Sequence, residues 1–189
     1  MFILKKKYFF IIESIKDIEL KNIKNFGKFS IIYRNKIPEN INKLSTFRLD
    51  CKSKKIPLFV ANNIDLMRKI KADGLYISAY NNRLNLRNFK KGYEIIGGAH
   101  NIKEINLKKL QGCSEVLLSR LFKTTYKNKI CSLGVIKFNL LSKITKISLT
   151  PLGGINLKNL NNLKNVNCES VALSSLVKKK FHKIHSFLR

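Results

Sequence analysis

Eight short apolar runs punctuate the chain, at about Tyr8–Ile12, Phe29–Tyr33, Leu58–Ala61, Gly74–Ile77, Glu94–Gly97, Glu115–Ser119, Ile147–Leu152 and Glu169–Ser174. Between them, apolar residues return at helical spacing, as with Ile102, Ile105, Leu107 and Leu110, or Leu157, Leu160 and Leu163. Strands alternating with helices of about ten residues predict a parallel sheet with right-handed crossovers. Eight such units with no sign of a sheet edge favour closure into a (β/α)8 barrel. At 189 residues it is compact, below the usual ~200–250. The pattern also admits an open doubly wound sheet with fewer strands.

The segment Ile147-Ser148-Leu149-Thr150-Pro151-Leu152-Gly153-Gly154-Ile155-Asn156 predicts a strand, a tight glycine turn and a helix capped by Asn156. Such a turn brings bare backbone N–H groups and a helix N-terminus against an anion. In a barrel the loops after strands seven and eight are the usual phosphate site. Alanine at Gly154 is therefore expected to disturb a bound anion more than the fold. The longest irregular stretch, about Arg120–Leu133, follows strand six and includes the hydroxyl-rich Phe122-Lys123-Thr124-Thr125-Tyr126-Lys127. On the catalytic face of a barrel, a loop longer than about 12 residues reads as an anion-contacting lid or a plain exposed loop.

Composition narrows the class. Apolar residues make up 44% of the chain, ample for one domain over residues 1–189 and too many for a disordered one. No apolar run approaches the ~18 residues of a membrane span. The opening Met1-Phe2-Ile3-Leu4-Lys5-Lys6-Lys7 places its charges after its apolar residues, the reverse of a signal peptide, so a cytoplasmic protein is expected. Cys51, Cys113, Cys131 and Cys168 form no C-x-x-C pair and are expected to be reduced core or helix-face residues. The net charge of +27 raises nucleic-acid binding as an alternative. Against a dedicated site, the lysines are spread over every predicted helix, and Arg supplies only seven of the 38 basic residues. Lys, Asn and Ile also share A/T-rich codons. The expectation is weak, salt-sensitive attraction to polyanions.

Several motifs carry a family resemblance. Strand two ends in Tyr33-Arg34-Asn35-Lys36, strand five in Gly98-Ala99-His100, and loop six holds Phe122-Lys123-Thr124-Thr125-Tyr126-Lys127. With Gly153-Gly154-Ile155-Asn156, Ser174-Ser175, and Asn62-Asn63-Ile64-Asp65 ahead of Asp73-Gly74, the chain resembles the thiamine phosphate synthase/TenI family in order along nearly its whole length. The resemblance implies a (β/α)8 barrel acting in thiamine synthesis on small phosphorylated thiazole or pyrimidine ligands. In the synthase an aminopyrimidine diphosphate loses pyrophosphate, and a thiazole phosphate nitrogen captures the resulting cation. By resemblance, Arg34, Lys36, Thr124 and Lys127 hold the pyrophosphate, while Gly153, Gly154 and Ser175 hold the thiazole phosphate.

The departures are chemical. The family binds Mg2+ through Asp residues on the loops after strands three and four, and here those positions are Asn62 and Asn81. Two carboxylates are gone, and no metal or other cofactor is expected, since Mg2+ sites are normally built on one or two acids with the substrate phosphates. Ile32 stands where the family has Gln, Gly98 where it has Ser and Tyr126 where it has Thr. A metal-dependent synthase is weakened by these changes. His100 is the plausible acid–base group on the catalytic face, since imidazole near its usual pKa of ~6.5 suits proton transfer, and TenI-type members use a His there to move a ring proton. The expected protein is a diverged enzyme, a synthase or a thiazole tautomerase. A non-catalytic phosphate-ligand barrel is the alternative, and a nucleic-acid-binding protein the second.

Overall fold

The computed structural model describes residues 6–23, 26–84, 92–124 and 131–174. Eight parallel strands pair in sequence order and close on themselves: β1 Lys7–Ile12, β2 Phe29–Tyr33, β3 Leu58–Ala61, β4 Gly74–Ile77, β5 Glu94–Ala99, β6 Glu115–Ser119, β7 Ser148–Leu152 and β8 Ser170–Leu173. Closure comes from β1 lying between β2 and β8, with Tyr8 level with Phe29 on one side and Val171 on the other. The open-sheet alternative is thereby excluded.

Side chains alternate in and out along each strand. Phe9, Ile11, Ile32, Phe59, Tyr76, Ile96, Leu117 and Ala172 form the barrel interior. Their neighbours, such as Phe10, Ile31, Val60, Leu75, Ile95, Val116 and Val171, belong to the larger core shared with the surrounding segments. Burial on both faces is why the strands read as unbroken apolar runs.

The outer layer is less regular than the sequence predicts. Four α-helices are described: α1 Ile41–Ser53, α2 Ile64–Lys69, α3 Ile102–Leu110 and α4 Gly134–Ile144. The first three are capped by asparagine, with Asn40, Asn63 and Asn101 accepting from the backbone N–H of Asn42, Leu66 and Glu104 at 2.8, 2.9 and 3.0 Å. Between β1 and β2 the described residues form single 3-10 turns. After β7 the predicted helix is a turn leading to a 3-10 helix, Leu160–Asn165. Asn156 does not cap it. Asn156 accepts from the Lys158 N–H, and its own N–H donates to Asn159 Oδ1. Asparagines bond their own neighbouring backbone and compete with helix propagation, which explains the correction. Leu160 and Leu163 still reach the core.

Cys51 and Cys113 are buried and Cys168 half-buried, but Cys131 is exposed in the loop after β6. Burial pushes the Cys51 thiol up to about 12, an inert core group. No helix among the described residues is long and apolar enough to cross a membrane.

Candidate functional site

At the C-terminal ends of the strands, β2, β3 and β4 frame a cavity of 1020 Å3. Arg34 enters it directly beyond β2, its N–H donating to Ile12 O at 2.8 Å and so extending the β1–β2 ladder. Lys36 lines the same cavity. Both lie past the end of the strand, so convergence comes from the loop rather than from strand alternation. Glu13 balances Arg34 at 4.0 Å. A smaller cavity of 560 Å3 lies at the opposite end of the barrel, beside Lys6, Lys164 and Glu169 and away from every predicted site residue.

The two positions that replace the expected carboxylates meet. Asn81 Nδ2 donates to Asn62 Oδ1 at 3.2 Å, and the same oxygen accepts from the Ser78 N–H at 3.0 Å. Asn62 adopts φ +56, a left-handed conformation asparagine tolerates better than most residues. Asn81 Oδ1 accepts from the Arg83 N–H at 3.1 Å. Both amide oxygens thus face donors, and neither carries a negative charge. Arg68 and Arg83 also line the cavity, so four cations stand against the carboxylates of Glu13 and Asp65. This donor set is ill-matched to Mg2+, which wants anionic oxygens in octahedral array.

Tyr76, which sequence reasoning passed over, organises the floor of the site. It is 3% exposed, with the Arg34 guanidinium close enough to favour its ionised form. Burial raises its pKa, opposed by the neighbouring guanidinium, so the phenol stays protonated. A side chain at Gly98 would meet the Tyr76 hydroxyl at 2.3 Å. The glycine where the family has Ser is therefore required by Tyr76. Its signal was present in the sequence as a polar-tipped aromatic inside an inward-facing strand position.

His100 follows β5. Its N–H donates to Glu104 Oε2 at 2.7 Å, and the same carboxylate accepts from Asn101 Nδ2 at 2.8 Å. Nδ1 of the ring lies 3.2 Å from both the carbonyl oxygen and the hydroxyl of Ser119, at the end of β6. The exposed Tyr80 ring stands 6.0 Å from the imidazole, centre to centre. A proton on Nδ1 given to the Ser119 carbonyl leaves the Nε2 lone pair for a substrate.

The Gly153–Gly154 turn closes β7 with φ +91 and +73. One side of it is covered by loop six. The backbone of Phe122 and Lys123 lies directly over Gly154, where a Cβ would come within 2.2 Å of the Phe122 carbonyl oxygen. The Phe122 N–H in turn donates to Gly153 O at 3.1 Å. Gly154 O accepts from Asn159 Nδ2 at 2.8 Å and from Asn156 Nδ2 at 3.2 Å. The glycines therefore seat loop six, and alanine at Gly154 would strain the fold as well as crowd any anion bound there. Arg120, also missed, packs its stem over Gly153 and donates to Thr124 Oγ1 at 3.4 Å. Lys127 and Ser175, together with Thr125 and Tyr126, lie outside the described residues.

The fold is a (β/α)8 barrel with a polar cavity at the C-terminal ends of its strands. The family model described as Thiamine monophosphate synthase matches residues 19–177, and the chain belongs to that family. Among curated proteins it is similar to a thiamine-phosphate synthase of Prochlorococcus marinus, 26% identical over 129 residues, covering 67% of this chain and 37% of that protein. A second, from Prochlorococcus marinus subsp. pastoris, is 32% identical over 139 residues, covering 71% and 37% respectively. The chain thus spans little more than a third of either relative. Among solved structures, thiamine phosphate pyrophosphorylase from Pyrococcus furiosus superposes with TM-score 0.76 at 17% identity, covering 100% of this chain and 95% of that one. A truncated 3-deoxy-D-arabino-heptulosonate 7-phosphate synthase from Thermotoga maritima gives 0.70 at 12%, covering 97% and 84%. At these identities the likeness is one of fold.

Proposed function

We propose that the chain joins an aminopyrimidine diphosphate to a thiazole phosphate, with release of pyrophosphate. The observation that carries this reading is the cavity that Arg34 and Lys36 line together with Asn62, which Asn81 holds by a side-chain hydrogen bond. The pyrimidine methylene–oxygen bond breaks, its electron pair leaves on the diphosphate, and the thiazole nitrogen lone pair forms the new carbon–nitrogen bond. The charge that develops is on the leaving oxygen, and fixed cations in a shaped cavity stabilise it there. Arg34, whose backbone N–H is fixed to Ile12 and whose guanidinium lies 4.0 Å from Glu13, is placed for that task. The thiazole phosphate is assigned to the Gly153–Gly154 turn beside Arg120, and Thr124 to the pyrophosphate by sequence resemblance. Lys127 and Ser175 are assigned to the two phosphates by sequence resemblance.

A second reading, thiazole tautomerisation, is favoured by the geometry of His100, whose Nδ1 is engaged by Ser119. Condensation is tested by supplying the two precursors and following thiamine phosphate by chromatography, in EDTA and in Mg2+, and tautomerisation by following interconversion of the thiazole phosphate isomers by NMR. Arg34→Ala is expected to lower kcat/KM about 100-fold, the scale of losing one charge-stabilising group. His100→Gln is expected to leave condensation within a few-fold but to lower tautomerisation about 100-fold or more. No product from the two precursors in either buffer removes the condensing function. Condensation abolished by His100→Gln would overturn the division of roles.

A further inference from the structure

Arg68 and Arg83 are the cationic lining of the cavity that no family motif claims. Arg68 stands in the last turn of α2, and Arg83 lies on the loop after β4. The place of Arg83 is built from both sides. Its N–H donates to Asn81 Oδ1 at 3.1 Å, and its carbonyl accepts from Gln111 Nε2 at 3.0 Å. Gln111 Nε2 also donates to the Asn81 carbonyl at 2.8 Å, and Lys108 Nζ reaches that same oxygen at 2.8 Å. Lys108 and Gln111 are both fully buried and bonded to each other at 2.9 Å. Two interior side chains after β5 thereby clamp the β4 loop and fix the residue that presents Arg83 to the cavity.

The resulting field favours an anion. Of the two carboxylates lining the cavity, Glu13 already faces Arg34 at 4.0 Å. A divalent cation entering here meets Arg34, Lys36, Arg68 and Arg83, with the buried Lys108 ammonium behind Asn81. It finds amide oxygens already carrying donors, and the two carboxylates, Glu13 and Asp65, are outnumbered by the four cations, so like-charge repulsion is only partly offset. A diphosphate meets the opposite. Guanidinium groups present a planar fork of donors that matches phosphate oxygens two at a time.

We propose that this cavity binds a diphosphate group directly, without a divalent cation, and that Arg68 and Arg83 supply the charge a metal ion would otherwise bring. The proposal rests on the reading that a diphosphate ester enters here, and inorganic pyrophosphate probes it apart from the rest of that substrate. Titration calorimetry of the full chain with pyrophosphate, in EDTA and in Mg2+, is the test. Affinity in EDTA is expected to equal or exceed that in Mg2+. Arg68→Ala and Arg83→Ala are each expected to weaken binding about tenfold, and Arg83→Lys less, as for loss or impairment of a charged hydrogen bond. Lys164→Ala, at the far end of the barrel, controls for the diffuse positive charge and should leave affinity unchanged. Circular dichroism and thermal unfolding establish that each variant folds. Binding that appears only with Mg2+ overturns the proposal. So does affinity indifferent to both arginine substitutions, or lost equally in Lys164→Ala, or absent in both buffers. The condensation assay reads separately: arginine-dependent, metal-free binding without product sinks the proposed reaction and leaves this site standing.

Discussion

At the scale of single residues, glycine and asparagine do the work that their abundance in the sequence disguises. Gly98 makes room for the Tyr76 hydroxyl, and Gly154 lets the start of loop six lie against the end of β7. Gly154→Ala therefore has two costs, a left-handed φ that disfavours a Cβ and a collision with the Phe122 and Lys123 backbone. Backbone cannot swing aside as a side-chain tip can. We expect a loss of about 1–3 kcal/mol, read as a fall in thermal midpoint of several degrees. Unchanged stability with weakened phosphate binding would restore the glycine turn as a free anion cradle. None of this was legible in the sequence, because a Gly-Gly pair states that the backbone needs freedom and not what approaches it. Arg34, Lys36, Asn62 and Asn81 were singled out by the family resemblance, on loops that follow strands the apolar pattern had already located.

At the scale of elements, the strands read well and the connections did not. Strands β2, β3, β4 and β6 begin and end where the apolar runs predict, because burial on both faces leaves no ambiguity. The connection after β7 misled because Leu157, Leu160 and Leu163 satisfy helical spacing while the asparagines among them bond locally and stop at a 3-10 helix. The α3 clamp was equally invisible, since Lys108 sits in a lysine-rich helix and looks like a solvated charge. Its complete burial depresses its pKa below the ordinary 10.5, only partly opposed by Cys113 and Glu104. For a base, a folded-state pKa below the unfolded value means the unfolded chain keeps its proton longer as pH rises. The burial penalty is thus fully present below the folded pKa and is relieved between that value and 10.5, so stability contributed by this group rises through the window. Chemical denaturation of the native protein and of Lys108→Met across alkaline pH measures the difference. The variant is expected to lack this increment, and a native-minus-variant stability independent of pH would show that Lys108 is not buried as a charge.

At the scale of the whole molecule, the charge of +27 and the barrel have to be reconciled. Ion pairs among the described residues include Lys21–Glu19, Arg34–Glu13 and Arg48–Asp73. Of these three pairs, Arg48 has the most buried side chain, with Asp73 at 2.7 Å and the Lys71 carbonyl at 2.9 Å, where it ties α1 to the start of β4. The remaining lysines are mostly exposed, including Lys52, Lys69, Lys109, Lys143 and Lys158, which lie on separate segments rather than in one stripe. A field of that kind attracts polyanions without reading them, because ammonium groups on scattered helix ends neither align with a groove nor reach base edges. Duplex DNA should therefore bind weakly at low salt and without sequence preference, and binding should vanish near physiological ionic strength as released counterions lose their entropic advantage. Pyrophosphate in the cavity draws on four convergent cations within a confined space, so its binding should survive the same salt far better. Fluorescence anisotropy of labelled duplexes over a salt series, with pyrophosphate as competitor, separates the two. DNA binding that persists at physiological salt and is displaced stoichiometrically by pyrophosphate would make the cationic cavity part of a nucleic-acid interface, and the scattered lysines its flanks.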